Sequence, residues 1–312
     1  MSVVQKPKLI IIAGPTAVGK SDLGVELALR IGGEIISADS MQVYRHMDIG
    51  TAKISRDEMR GVPHHMIDII EPTENYHVYD FQKRAKIACE EIYSRGKIPI
   101  VVGGTGFYIQ ALLYDIDFSD LGGDDSMRSE LQAIADNEGP EALHRILTGL
   151  DPDTAASLHP NNVKRVIRAI EFARQNGEAI SKHNEEQREK ESPYDFKYFV
   201  LNDDRAAVYQ RIDARVDKMI ASGLEDEVRS LVEMGCTSDM TSMQGIGYKQ
   251  MLMHLSGEVD LDEAIRLIKR DSRHYAKRQL TWFNREKDLT WIDRRHYSNT
   301  SDICKTLLKI YK

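Results

Sequence analysis

KLIIIAGPTAVGKS, residues 8–21, decides the fold. The apolar run at 9–13 has the length of a strand and no polar alternation, so it reads as a strand buried on both faces, as in a parallel sheet. Gly14-x-x-x-x-Gly19-Lys20-Ser21 follows and fits the Walker A pattern at every defined position. Its glycines let the backbone through Pro15, Thr16, Ala17 and Val18 curl until several N–H groups point at one anion. A helix then starts near Lys20 with Leu23, Leu27 and Ile31 on one face, and its positive dipole end adds to the cradle. Lys20 supplies a mobile charge and Ser21 a hydroxyl for Mg²⁺. A plain glycine turn is the alternative, but the strand before and the amphipathic helix after are the context the cradle requires. The motif does not say whose phosphates it holds.

Working outward, EIISA at 34–38 reads as a second buried strand, ending at Asp39-Ser40-Met41-Gln42. In a parallel α/β sheet ligands bind along the edge formed by the strand carboxyl ends, so Asp39 is expected to face the cradle, with a turn cap as its bland alternative. IPIVV at 98–102 is the next strand and ends in Gly103-Gly104-Thr105-Gly106. A P-loop ATPase would carry its Walker B acid there; this chain has glycines, which admit a ligand close to the backbone, and the Thr105 hydroxyl. The polar segment 48–53 carries Thr51 and Lys53, which could line a phosphate or RNA path, before a short helix capped by Ser55 with Glu58 three residues on. His64, His65 and Asp68 invite a metal reading, but adjacent histidines point apart and no third ligand has helical spacing. Residues 66–70 are expected to be extended, and 78–95 helical.

With 312 residues the chain has room for about two domain-sized units. An apolar share of 41% and a charged share of 29% are those of an ordinary globular protein, which excludes disordered and fibrous classes. A net charge of -7 argues against indiscriminate polyanion binding, so any nucleic-acid site has to be a local patch. Cys89, Cys236 and Cys304 lack paired spacing and are expected to be reduced, buried thiols. No signal sequence and no membrane-spanning run is expected, which makes a cytoplasmic protein.

Composition changes from about residue 116. Residues 119–125 read as a linker, and the stretch to about 192 as helices without strands, at 126–137, 140–148, 151–158 and 161–176. A strand pattern returns at 196–201. The expected architecture is therefore an α/β parallel-sheet core, 1–117 and 196–312, with an inserted all-helical domain, 118–195. Lys164, Arg165 and Arg168 cluster on the insertion's last long helix, either as a solvated face or as a grip on RNA phosphates. After 196 the helix at 205–222 packs through Tyr209, Ile212, Val216 and Met219 and leaves Arg211 and Arg215 an i, i+4 pair. Arg266, Arg270, Arg273 and Lys277 put four cations on one face of a late helix, costly unless something anionic faces them.

The motifs GPTAVGKS, ISADSMQVYRHMDIGTAK, GVPHH, VVGGTGFY, HPNNVKRVIRAIE, GIGYK and YAKRQLTWF occur in this order between Gly14 and Phe283. Together they closely resemble the bacterial tRNA dimethylallyltransferases. The resemblance implies a P-loop kinase-like core, a helical insertion that grips the tRNA anticodon stem-loop, Mg²⁺, and prenyl transfer from dimethylallyl diphosphate. The acceptor it implies is N6 of the adenine beside the anticodon, in tRNAs that read codons starting with U. It implies Asp39 as the base; Lys20, Arg215 and Ser21 with Mg²⁺ on the diphosphate; and Thr16 and Thr105 lining the channel. For tRNA contact it implies Asp39, Ser40, Met41, Gln42 and Thr105 in the core. It further implies Arg128, Lys164, Arg165, Val166, Ile167 and Arg168 in the insertion, and Gln244, Gly245, Ile246, Gly247, Tyr248 and Lys249 at the late glycine turn. No cysteines and histidines are spaced for the C-terminal zinc finger of eukaryotic relatives, so a bacterial-type enzyme is expected; a monomer is the expected state. The alternatives are a P-loop nucleotide or small-molecule kinase, an RNA-binding NTPase switch, disfavoured by the missing Walker B acid, and an enzyme that prenylates free AMP, which would not need the insertion.

Overall fold

The computed structural model describes residues 5–118 and 125–311. The elements in chain order are β1 Lys8–Ala13, α1 Lys20–Ile31, β2 Glu34–Ala38, α2 Arg56–Met59, β3 His64–His65, α3 Val78–Ser94, β4 Pro99–Gly103 and α4 Gly106–Leu113. Helices α5 Asp125–Glu138, α6 Pro140–Leu150, α7 Pro152–Ser157, α8 Val163–Asn176 and α9 Ile180–Glu189 follow. The chain closes with β5 Asp195–Asn202, α10 Arg205–Ala221, α11 Leu224–Glu233, α12 Tyr248–Leu255, α13 Leu261–Phe283, β6 Leu289–Asp293 and α14 Thr300–Tyr311.

The chain divides into two compact units, one of residues 1–113 and 193–312 and one of residues 114–192. The larger unit is built on a six-stranded sheet in the order β3-β2-β4-β1-β5-β6, with every pairing parallel. Register places Ile12 of β1 between Val102 of β4 and Phe199 of β5, and Ala38 of β2 beside Gly103. Helices cover the sheet, which is why β1, β2 and β4 read as unbroken apolar runs: from Leu9 to Ala13 no residue is more than 1% exposed. Leu23, Val25 and Leu27 of α1 pack with Ile303 and Leu307 of α14 onto Ile10, Ile12, Ile100 and Phe199. At about 1.5–3 kcal/mol for each fully buried aliphatic side chain, this layer is the main holding force of the sheet. All strands run the same way, so the ends of β1, β2, β4, β5 and β6 deliver Gly14, Asp39, Gly104, Asp203 and Arg294 to one edge.

The smaller unit is all-helical and has its own core, in which Leu131, Leu143, Leu147, Val166 and Ile170 meet. Asp151 is fully buried there and accepts from the Thr154 N–H at 3.0 Å and from the Ser181 hydroxyl at 2.7 Å, tying α7 to α9. Of the predicted linker, residues 119–124 lie outside the described residues.

Several expectations need correction. The extended run predicted at 66–70 is not a strand: Met66 and Asp68 take left-handed backbone, with φ of 67° and 53°, so β3 is confined to His64–His65 and only Ile70 bridges back to Tyr44. On α10 the buried stripe is Val208, Ile212 and Val216, with Tyr209 only half-buried. The cation face of α13 is largely neutralised within the chain, since Arg266 pairs with Glu263, Arg270 with Asp271 and Arg273 with Asp213. The three cysteines are free and buried.

Candidate active site

The residues between β1 and α1 form the floor of a cleft of about 880 Å³ lined wholly by the larger unit. Gly19 is the N-cap of α1 in left-handed backbone, φ 88°, and no side chain caps that end, which leaves the first-turn N–H groups to an anion. Lys20 keeps part of its stem exposed, but its ammonium is drawn inward, 2.7 Å from the Pro15 carbonyl. Burial, reinforced by the nearby Arg215 guanidinium and opposed by Asp39, pushes its pKa down to about 7. Arg215, on α10, brings its guanidinium within 3.5 Å of the Thr16 hydroxyl and 3.4 Å of the Thr51 carbonyl. One helical turn earlier Arg211 donates to the Ala17 carbonyl at 3.0 Å and pairs with Asp203 at 2.8 Å. Ser21 lines the same cleft at the helix start.

Asp39 leaves β2 toward this cleft, and its field reaches Lys20, Arg215 and Tyr275. Both sequence readings of it are realised: Oδ1 accepts from the backbone N–H of Met41 at 2.9 Å and of Gln42 at 3.3 Å, capping the turn, while no hydrogen bond occupies Oδ2 among the described residues. Gln42 lines the cleft with its amide within 3.4 Å of the Thr51 and Ala52 carbonyls. Ser40 and Met41 are half-buried beside it. Thr105 stands one residue beyond the cleft lining at Gly103 and Gly104, and its side chain hydrogen-bonds to Tyr275, whose hydroxyl is pushed up to about 12 by burial first and the Asp39 charge second.

Two devices outside the predicted set hold the site. Gln279 of α13 is 6% exposed; its Oε1 accepts the Thr16 N–H at 2.8 Å and its Nε2 donates to the Gly104 carbonyl at 2.9 Å, locking the phosphate loop to the loop after β4. A side chain at Gly104 would collide with that amide, which is why the position is glycine. The carboxylate of Glu227, on α11, receives the N–H groups of Asp48, Ile49 and Gly50 at 2.8, 2.7 and 3.0 Å and the Tyr248 hydroxyl at 2.7 Å. Segment 48–53 is thereby fixed, and its Thr51 carbonyl meets both Gln42 and Arg215.

Some predicted contact residues are turned inward or paired within the chain. Lys53 is spent inside the protein, on Tyr44, Asp48 and Asp68, with a side chain 6% exposed. Tyr248 is buried as the partner of Glu227, and of the late glycine turn Gln244 and Lys249 are exposed, Gly245 and Ile246 half-buried, and Gly247 buried. In the helical unit Val166 and Ile167 pack into the core, because the 3.6-residue repeat turns them inward when Lys164 and Arg165 face out. Arg168 is half-buried; it lies 3.7 Å from the buried Glu171, which Arg128 holds at 2.8 Å. Lys164 and Arg165 remain as the outward cations of that cluster. The paired histidines diverge as expected, His64 to the Val62 carbonyl and His65 to Glu34.

The sequence model of the IPP transferase family matches residues 42–286, and that of the isopentenyl transferases matches residues 7–71. The chain belongs to the IPP transferase family. It is 56% identical over 97% of its length to the tRNA dimethylallyltransferase of Lachnoclostridium phytofermentans, 96% of which is covered. Among solved structures it is similar to the full-length tRNA isopentenylpyrophosphate transferase of Bacillus halodurans, with TM-score 0.73 and 44% identity, 98% of this chain and 97% of that one being covered. It is also similar to a eukaryotic dimethylallyltransferase described as acting on tRNA, with TM-score 0.78 and 34% identity over 92% of this chain and 74% of that one. Gln279, Tyr275, Glu227 and Arg294 line or anchor the cleft without a role assigned from the sequence. Arg294 had a readable signal: it directly follows a short apolar strand, on the edge where ligands bind.

Proposed function

We propose that the chain transfers a dimethylallyl group from dimethylallyl diphosphate to N6 of the adenine 3′-adjacent to the anticodon of tRNAs that read codons starting with U. The observation that carries this reading is a complete phosphate cradle sharing one cleft with Asp39, while the β4 end, where a Walker B acid would stand, has Gly103 and Gly104. It is an enzyme of the tRNA prenyltransferase class, as its family membership states.

In the transfer, the bond between N6 and the allylic carbon forms as the carbon–oxygen bond of the donor breaks, and the diphosphate leaves with the electron pair. An exocyclic amine is a weak nucleophile until it sheds a proton, and Asp39 Oδ2, unengaged in the turn, is the group that takes it. Charge building on the departing oxygens is met by Lys20, by Arg215 and by the loop N–H groups, all fixed before the substrate arrives. The donor set fits Mg²⁺: the Ser21 hydroxyl lines the cleft beside Lys20, and this ion is commonly held by one or two protein oxygens plus substrate phosphates. Bound there with the donor, Mg²⁺ supplies further neutralisation of the leaving group. Gln42 offers an amide suited to an adenine edge. The target base has to leave the anticodon-loop stack to reach such a cleft, so base extrusion belongs to the mechanism. Lys164 and Arg165 supply phosphate contacts from the helical unit. The same reading makes the enzyme a monomer working in the cytoplasm, supported by a donor cleft lined within one chain and by a tRNA acceptor.

The test is donor choice. With tRNA and Mg²⁺, labelled dimethylallyl diphosphate is expected to release diphosphate in step with tRNA labelling, while labelled ATP releases nothing above background. ATP turnover coupled to tRNA would replace this reading with a P-loop kinase.

A further inference from the structure

Arg294 is a cation of the cleft that the steps above do not employ. It stands in the turn after β6, and its guanidinium reaches the phosphate loop at a different residue from Arg215: Arg215 meets the loop at Thr16, whereas Nη1 of Arg294 donates to the Val18 carbonyl at 2.5 Å. A Cβ at Gly19 would come within 2.6 Å of that Nη1, so glycine there admits the guanidinium as well as the left-handed turn. Arg294 is half-buried and lines the cleft beside Lys20, Ser21 and Asp22. Its neighbouring carboxylate is taken, since Asp293 is paired with Arg295 at 2.5 Å, and no carboxylate pairs with Arg294 among the described residues. A partly desolvated guanidinium with one carbonyl for a partner is an expensive strut, because any neutral donor could make that one bond. Its cost is explained if an anion completes its coordination, and a planar fork with donors left over suits phosphate oxygens.

We propose that Arg294 is a direct ligand of the donor's diphosphate and of the inorganic diphosphate product, gripping it from the Val18–Gly19 flank while Arg215 grips from the Thr16 flank. The inference rests on the donor-site reading above and adds a contact to it. Two cations from separate elements, α10 and the turn after β6, then meet one leaving group, which spreads the developing charge in the transition state.

The test uses the full chain with Mg²⁺ and inorganic diphosphate as the probe, titrated calorimetrically against wild type, Arg294→Gln and Arg294→Lys. Gln keeps a donor for the Val18 carbonyl and removes only the charge. The dissociation constant for diphosphate is expected to rise about 10-fold to 100-fold in Arg294→Gln, the range of one charge-assisted hydrogen bond, and to recover in part in Arg294→Lys. Affinity for tRNA alone is expected to be unchanged in both. Unchanged diphosphate affinity in Arg294→Gln overturns the inference and leaves the donor site intact. A loss in Arg294→Gln with no recovery in Arg294→Lys, together with a lowered melting temperature of the free protein in both, also overturns it, by making Arg294 a strut. Wild type that binds no diphosphate overturns the donor-site reading itself, and this inference with it.

Discussion

Replacing Gln279 by leucine separates the packing of the site from its charge. Leucine has similar bulk and neither donor nor acceptor, so the variant leaves the Thr16 N–H and the Gly104 carbonyl without the partners they have at 2.8 and 2.9 Å. An unsatisfied buried backbone group costs about 1–3 kcal/mol; Thr16 is half-buried and its N–H can recruit water, so the two together come to roughly 2–4 kcal/mol. At about 2–4 °C per kcal/mol for a unit of this size, the melting temperature is expected to fall by roughly 5–15 °C. Function suffers separately, because the phosphate loop and the loop after β4 lose their shared anchor; a displacement of about 1 Å at reacting groups can cost on the order of 10² in rate. Thermal melting followed by dye fluorescence, and steady-state transfer to tRNA at a temperature where the variant is folded, measure the two effects. Gln279→Glu keeps the acceptor for Thr16 but turns an oxygen toward the Gly104 carbonyl, so it is expected to be no better than leucine. A leucine variant with unchanged melting and unchanged turnover would mean that Gln279 does not anchor the two loops.

Four further outcomes follow from the same geometry. Asp39→Asn keeps the turn hydrogen bonds to Met41 and Gln42 but cannot take a proton, so turnover is expected to drop by about 10² to 10⁴ with binding of both substrates retained; near-normal turnover with a raised Mg²⁺ requirement would make Asp39 a metal-shell residue. Lys20 has its pKa at about 7 in the folded protein against an ordinary 10.5, so below pH 7 it is charged in both folded and unfolded chains, and between these values only the unfolded chain keeps the proton. The free protein's stability contribution from Lys20 therefore rises with pH across that window. An arriving diphosphate restores the charge, so at pH 8 its binding is expected to take up a proton, seen as a binding enthalpy that changes with buffer ionisation enthalpy; equal enthalpies would contradict it. Lys164→Gln with Arg165→Gln is expected to raise KM for tRNA, leave saturated turnover nearly unchanged and flatten the salt dependence of binding by about 0.7–0.9 per lost phosphate contact, whereas Arg128→Gln is expected to lower the melting temperature, because buried Glu171 loses its nearer partner.

What the sequence made readable is what lies within one strand–loop–helix unit. The cradle was legible from residues 8–21 because its strand, glycines and helix start are contiguous, and Asp39 was placed by the rule that parallel strands end on one edge. The insertion was visible because strand patterns stop and then resume. Gln279 was not legible as a site residue, since its partner Thr16 lies 263 positions away and nothing local marks the docking of α13; Arg294, 276 positions from Val18, was marked only by its place after a short strand. Glu227 was hidden for the same reason: an acidic first turn reads as dipole compensation for α11, and only the folded chain brings segment 48–53 to it. The four cations of α13 were overvalued because sequence spacing displays like charges on one face but not Asp213, which arrives from another helix.

Prenyl transfer to tRNA is read out by the mass of unmodified tRNA after incubation with the protein, Mg²⁺ and dimethylallyl diphosphate. A gain of one dimethylallyl group per tRNA is expected, located after nuclease digestion on the adenine 3′ to the anticodon, with one diphosphate released for each group transferred. An unchanged tRNA mass, or a gain of phosphate when ATP is supplied instead, would contradict it.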